Sequence, residues 1–307
     1  MNSQSPAAIR SSTVAEATAT HRSRRLPAAA KACLRDVLAC LGIDGDEMDR
    51  AYPPIPIAVW QVYQGGTLLL EGEATTTLYV VRSGSLKSVK VLEDGYDQVL
   101  SLALPGELLG SVALHGGLQP STVVALEDST VYALPVRDLR ALRGACPALD
   151  FALQRALSRQ LVRAAETTAM SAAVSSEVRL ARFLLWMSHR MAEIGQSSHR
   201  LLLRMGRRDI ASLLCVAHET VSRAFTTLAE AGYVSTRRKD VEILDIDRLR
   251  EFSLFTRGSA PDGAAGRAHV ERLARRASTA WLASLETALA SSSGVTARPA
   301  RPLAAAA

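Results

Sequence analysis

"RRDIASLLCVAHETVSRAFTTLAEAGYV", Arg207 to Val234, is the stretch from which the rest of the chain is read. Taken as helix, tight turn, helix, it buries Ile210, Leu213 and Leu214 on one side of the first helix. Val221, Ala224, Phe225 and Leu228 follow i, i+3, i+4, i+7 on the second. Glu219, Ser222 and Arg223 then fall at i, i+3 and i+4, one exposed stripe near the start of the second helix, with His218 beside them. In a helix-turn-helix, these positions meet base edges in the major groove. Arginine donates twice to guanine O6 and N7, glutamate accepts from cytosine N4, and serine does either. The competing structural reading is a solvated face held by a Glu219–Arg223 pair one turn apart.

The residues that follow weigh against that reading. "YVSTRRKDVEILDI" is two apolar strands flanking Arg237, Arg238, Lys239 and Asp240, a hairpin whose cationic tip suits phosphate. Arg207 and Thr220 are further candidates for phosphate contact. Gly206 and Ala217 stand where the two helices need N-caps. Alanine there costs about 1 kcal/mol, so the second helix is expected to start loosely until DNA orders it.

Upstream, Ala51 to Pro135 reads as short strands with turn punctuation. "LYVVRSGSLKSVKVLEDGYDQVLSLALPGELLG" alternates apolar and polar residues, as at Leu100, Leu102 and Leu104. Glycines 66, 72, 84, 95, 106 and 110 fall between strands, where positive φ or close backbone approach is needed. The expected result is an antiparallel barrel or roll. Past Pro147, Leu153, Ala156, Leu157, Gln160, Leu161 and Ala164 recur at helical spacing along a helix of about 25 residues, roughly 37 Å. A second copy of that helix is its simplest partner, through Leu153, Ala156, Leu157 and Leu161; packing on its own domain is the alternative.

The chain has 307 residues, 48% of them hydrophobic and 21% charged, enough for two compact domains, and its net charge of +6 permits but does not identify an anionic partner. Cys33, Cys40, Cys146 and Cys215 form no C-x-x-C pair, so neither a disulfide framework nor a zinc site is suggested. No apolar run approaches the roughly 20 residues that span a bilayer. A cytoplasmic protein without a membrane anchor is expected. No HExxH, P-loop, GxSxG or dinucleotide fingerprint is present, so an enzyme is not expected. Residues 1–30 and "SSSGVTARPARPLAAAA" are read as disordered. Val270, Leu273, Ala277, Trp281, Leu285 and Leu289 could line one amphipathic helix.

Three segments carry a resemblance: "GGTLLLEGEATTTLYVVRSGSLK", then "LALPGELLG", then the stretch quoted at the outset. In this order they resemble bacterial transcription regulators of the CRP/FNR family, over roughly Gln61 to Glu251. The resemblance implies an α+β fold with a cyclic-nucleotide-binding-type antiparallel β-roll, a long dimerisation helix and a C-terminal winged helix-turn-helix. Expected boundaries are 1–45 for a partly disordered N-terminal extension, 46–140 for the roll, and 141–173 for the dimerisation helix. The winged helix-turn-helix takes 174–251, and a mostly disordered C-terminal extension 252–307. The E-x-x-S-R arrangement at Glu219, Ser222 and Arg223 is similar to the FNR branch, which implies a TTGA-type half-site. His218 departs from both branches and leaves the outermost base open. The loop "LEDGYDQ", Leu92 to Gln98, aligns with a surface that contacts RNA polymerase in FNR-type activators.

The departures bear on cofactors. Relatives that bind cAMP continue from a G-E-L motif into an Arg-Ser pair; here Gly106 and Glu107 are present, but the pair is Pro120-Ser121, and Ala164 and Ala165 stand where hydroxyl residues face the base. Gly106, Glu107 and Ser121 are therefore only candidate pocket residues, and Glu107 can equally be a turn residue. Of the four cysteines that hold an iron-sulfur cluster in FNR-type sensors, "KACLRDVLACLGIDGDEMDR" keeps Cys33 and Cys40, and Tyr132 takes the roll position. These two cysteines are expected to be small buried hydrophobes of an N-terminal helix. His115 is read as a solvated loop residue rather than a haem ligand. Neither an iron-sulfur cluster, haem nor cAMP is expected, and no metal. The leading expectation is a homodimeric regulator of double-stranded DNA, an activator contacting RNA polymerase, active without a signal. The alternative is a ligand- or haem-sensing adaptor with vestigial DNA binding.

Overall fold

The computed structural model describes residues 24–25, 32–43, 55–173 and 175–254. The tails read as disordered and the amphipathic helix through Val270 and Leu289 lie outside the described residues.

Two antiparallel sheets form the roll. The first contains β1 (Arg24–Arg25), β2 (Ala32–Cys33), β3 (Pro56–Val62), β5 (Thr77–Ser83), β8 (Leu108–Leu109) and β10 (Ser129–Pro135), in the order β1-β3-β10-β5-β8 with β2 also on β3. The second runs β4-β9-β6-β7, from β4 (Thr67–Leu69), β9 (Thr122–Ala125), β6 (Leu86–Val91) and β7 (Asp97–Ala103). Side chains alternate across a strand, so one strand can feed two cores. On β10, Val131 and Ala133 enter the space between the sheets beside Val62, Leu86 and Val123, while Tyr132 and Leu134 face the other way. That outer face is covered by α1 (Leu34–Cys40), α2 (Val136–Ala145) and the first half of α3 (Ala148–Ser171). The N-terminal region expected as an extension thus contributes two short strands and a buried helix face, with Leu34, Val37 and Leu38 in the core. Cys33 and Cys40 are only half-buried, and the Cys40 thiol donates to Val81 O at 3.2 Å.

The expected alternation fails at one position. Leu100 is 43% exposed, while Leu102 and Leu104 are buried. The cause is a bulge: Ser88 pairs with Ser101 but Val89 pairs with Val99, which leaves Leu100 as the unpaired extra residue. Of the six turn glycines, those at 72, 84, 95, 106 and 110 have positive φ, whereas Gly65 rather than Gly66 takes that role in its turn. Gly106 is required twice over, by φ +83° and because a Cβ would lie 2.7 Å from the Cys40 carbonyl oxygen.

α3 runs 24 residues, close to the length expected. Its burial corrects the expected partner face: Leu153 and Ala156 are buried in the roll's own core and Leu157 packs against it, because the first three turns lie across the outer sheet. Leu161 is 74% exposed, and Val162, Ala165, Thr168 and Ala172 are exposed along the second half. The C-terminal unit follows: α4 (Ser176–Glu193), β11 (Arg200–Leu202), α5 (Arg207–Leu213), α6 (His218–Glu230), β12 (Val234–Arg237), β13 (Asp240–Ile243) and α7 (Ile246–Ser253). Its core continues into the roll, joining Phe183, Ile210, Leu214 and Phe225 to Val89, Val99, Leu102 and Leu104. No described helix is long and apolar enough to cross a membrane.

Candidate nucleic-acid interface

α5 and α6 are the two helices expected from the sequence. Ile210, Leu213, Leu214, Val221, Ala224, Phe225 and Leu228 are all buried. The turn between the helices closes as a Schellman motif: Val216 N donates to Ala211 O at 3.0 Å and Cys215 N to Ser212 O at 3.2 Å. Cys215 takes the left-handed position, φ +53°, where glycine is usual. Arg179 of α4 completes the turn by donating to the Leu214 and Cys215 carbonyls at 2.9 and 3.1 Å. α6 ends in the same motif with Gly232 at that position, φ +73°.

Gly206 and Ala217 are the N-caps, and neither has a side-chain cap. For α5 the gap is filled from inside the helix, since Gly206 N donates to Asp209 Oδ2 at 3.1 Å. In α6 the first-turn carboxylate, Glu219, meets its own backbone N–H rather than that of the N-cap. The leading side chains of α6 are open to solvent: Glu219 is 67% exposed, and His218, Ser222 and Arg223 are exposed as well. The Glu219–Arg223 ion pair of the solvated-face reading is not formed among the described residues. Glu219 turns instead toward His218, with Oε1 3.3 Å from Nδ1. Its own backbone N–H, with help from His218, holds this carboxyl below the usual carboxylate range. Ser222 Oγ donates to His218 O at 3.3 Å, which ties its hydroxyl to the helix. Arg223 is left projecting from the stripe.

The hairpin forms as expected, with Arg237 opposite Asp240 and a two-residue turn of Arg238 (φ +56°) and Lys239. Sequence reasoning missed β11, which pairs with β13 and makes the wing three-stranded. Arg237, Arg238 and Lys239 are exposed, whereas Thr220 is half-buried. Arg207 is more occupied than a free phosphate ligand: its guanidinium lies over the Phe225 ring and donates to Arg238 O at 3.5 Å. The wing tip and the start of α5 are thereby joined across the recognition helix.

Of the expected pocket residues, Glu107 has partners on two helices. Glu107 Oε1 accepts from Arg163 Nη1 of α3 and from Arg190 Nη2 of α4, and Ser121 is buried. Glu107 is thus more than a turn residue. Cys33 and Cys40 stand at opposite ends of α1, about 10 Å apart along its axis. With the Tyr132 ring buried beside them, this set does not fit a four-cysteine cluster. His115 is exposed.

Residues 178–252 match the Crp-like helix-turn-helix domain family and residues 59–145 match the cyclic nucleotide-binding domain family. The transcriptional regulatory protein btr of Bordetella pertussis is 32% identical over 218 residues, 71% of this chain and 90% of that protein. The fumarate and nitrate reduction regulatory protein of Escherichia coli K12 is 32% identical over 199 residues, 65% of this chain and 80% of that protein. Among solved structures, FixK2 of Bradyrhizobium japonicum superposes with a TM-score of 0.57 at 23% identity, covering 66% of this chain and 98% of that one.

Proposed function

Because the chain belongs to the CRP/FNR family of transcription regulators, with its helix-turn-helix DNA-binding domain, we propose that it binds a TTGA-type palindrome as a homodimer and activates transcription without a resident cofactor. The observation that carries this reading is the open stripe of His218, Glu219, Ser222 and Arg223 on a helix whose other face is fully buried, flanked by the exposed wing tip Arg237, Arg238 and Lys239. Arg223 and Glu219 read bases, Ser222 supports them, and the wing tip holds phosphate. Thr220 and Arg207 add to the backbone contact.

The homodimer is supported by α3. Leu161, Ala165, Thr168 and Ala172 recur at alternating steps of four and three, the spacing of a two-helix seam, and all are exposed in the single chain. Activation is supported by the β6–β7 connection, whose Leu92 and Tyr96 are exposed on a turn fixed by Gly95 N donating to Leu92 O at 2.9 Å. That surface is available to RNA polymerase. Effector-free action is supported by Glu107, whose carboxylate is already paired with two arginines.

The test is fluorescence anisotropy of the ligand-free full chain on a TTGAT-N4-ATCAA duplex and on a scrambled duplex at near-physiological salt. Preference for the palindrome, abolished by Arg223→Ala in a variant that stays dimeric, is the expected result. Equal weak binding to both duplexes overturns the reading.

A further inference from the structure

One carboxylate oxygen joins three parts of the molecule. Glu107 sits in the turn between β7 and β8, and its Oε1 meets Arg163 of α3 and Arg190 of α4 together. Arg163 Nη2 continues to Glu193 Oε2 of α4 at 2.9 Å, and Arg190 Nη1 donates to Leu102 O of β7 at 3.0 Å. The Arg190 guanidinium lies 4.3 Å from the Trp186 ring centroid, and Trp186 Nε1 donates to Glu166 Oε2 of α3 at 3.0 Å. The Arg190 side chain is 3% exposed, and its Nε has no hydrogen-bond partner. A guanidinium this deep keeps its charge, and without a carboxylate beside it that charge would be buried and uncompensated.

The turn that presents Glu107 is itself fixed. Gly106 N donates to Val81 O and Val81 N to Glu107 O, both at 2.9 Å, and Gly106 admits no Cβ. Further polar links between roll and C-terminal unit among the described residues, such as Ser212 with β7, Lys87 with Asp209 and Arg204 with Glu127, do not involve α3. α4 packs directly on α6 through the shared core of Phe183, Leu184 and Phe225. Any tilt of α4 against α3 therefore carries the recognition helix with it.

We propose that Glu107 is a positioning residue for DNA recognition, setting the angle of α4, and hence of α6, against the helix about which two chains pair. The proposal rests on the DNA-binding reading above. A palindrome demands that two recognition helices reach successive major grooves about 34 Å apart, whereas non-specific binding needs only positive charge near phosphate. Loss of Glu107 therefore acts on specific affinity and leaves binding to scrambled DNA nearly intact.

The experiment compares the full-length wild type, Glu107→Gln and the double variant Glu107→Gln/Arg190→Met, which also removes the stranded buried charge. Anisotropy on the palindrome and the scrambled duplex is read beside thermal unfolding and hydrogen exchange of residues 183–193. Expected are a loss of at least about tenfold in affinity for the palindrome, a change within about twofold on the scrambled duplex, and faster exchange in α4 for Glu107→Gln. In the double variant thermal stability returns but palindrome affinity does not. Recovery of both in the double variant, or unchanged exchange and unchanged preference in Glu107→Gln, overturns the proposal. If the wild type shows no preference, the DNA reading fails separately, and the exchange of α4 alone decides whether Glu107 holds its position.

Discussion

The guanidinium carbon of Arg207 lies 3.4 Å from the centroid of the Phe225 ring. Arg207 begins α5, Phe225 lies in the middle of α6, and the same guanidinium reaches the wing at Arg238 O. Burial lowers the pKa of Arg207 from its ordinary value, yet the group remains charged at any working pH. The flat contact depends on a planar delocalised cation, which lysine does not supply. Arg207→Lys keeps the charge and is expected to lower stability by about 1 kcal/mol in urea unfolding. Unchanged stability with weaker DNA binding would return Arg207 to a phosphate role alone.

A second expectation concerns the turn of the helix-turn-helix. Cys215 occupies a left-handed backbone position at φ +53°, where an L-residue pays about 1–2 kcal/mol and glycine does not. The added freedom of glycine in the unfolded chain offsets about 0.4–1 kcal/mol of that gain. Cys215→Gly should therefore stabilise the protein by up to about 1.6 kcal/mol. The thiol is exposed and removes no core contact when lost. A destabilised variant would show that the turn tolerates cysteine without strain.

The helix-turn-helix was legible because its signal is local: the apolar period of each helix lies within a dozen residues, and every residue so placed is buried. The roll was legible in kind but not in detail. Leu100 looked like its neighbours two residues on, and only the offset between Ser88–Ser101 and Val89–Val99 reveals the bulge. The two-residue strands β1 and β2 carry no period to detect. Glu107 was invisible as a meeting point because Arg163 and Arg190 lie 56 and 83 residues away, and a glutamate in a turn looks solvated until its partners fold onto it. The stripe on α3 failed for the opposite reason, since one helical pattern serves two faces: Leu153 for its own roll, Leu161 left open.

Ser212 is a polar residue inside an apolar stripe, and its reason is equally distant. It is 4% exposed, and its hydroxyl accepts from Val99 N and donates to Asp97 O, both at 2.8 Å. Alanine would strand one donor and one acceptor of β7 at a closed interface, a loss of about 1–3 kcal/mol. Ser212→Ala should lower the unfolding midpoint accordingly and speed hydrogen exchange at Val99. A stability unchanged within error would show that water takes over both groups.

Acid should act at the start of α4. The Ser175 hydroxyl donates to Glu177, and that bond holds the carboxyl below the usual carboxylate range. A folded-state pKa below the unfolded value gives stability that is present above about pH 4.3 and is lost as the pH falls through the folded value. Glu177 is half-buried and its carboxyl is partly screened by solvent, so the contribution is a few tenths of a kcal/mol. Ser175→Ala should lower stability by those few tenths at neutral pH, and the difference from the wild type should close as the pH falls through the folded value. A difference that stays constant down to low pH would show that Glu177 is not its source.

The wing makes the most quantitative expectation. If Arg237, Arg238 and Lys239 each neutralise one phosphate, each contributes about 0.9 to the slope of log affinity against log salt on duplex DNA. All three are exposed on a turn held by the Arg237–Asp240 pairing, and none is spent in an ion pair among the described residues. Replacing the three with alanine should lower the slope by about 2.7 per chain and weaken palindrome and scrambled duplex alike. Arg223→Ala should do the reverse, removing the preference and changing the slope by at most about 1, because a base edge carries sequence and a phosphate does not. A triple variant that keeps the wild-type slope would place the wing away from the backbone, and the phosphate contacts would then have to come from Thr220 and the start of α5.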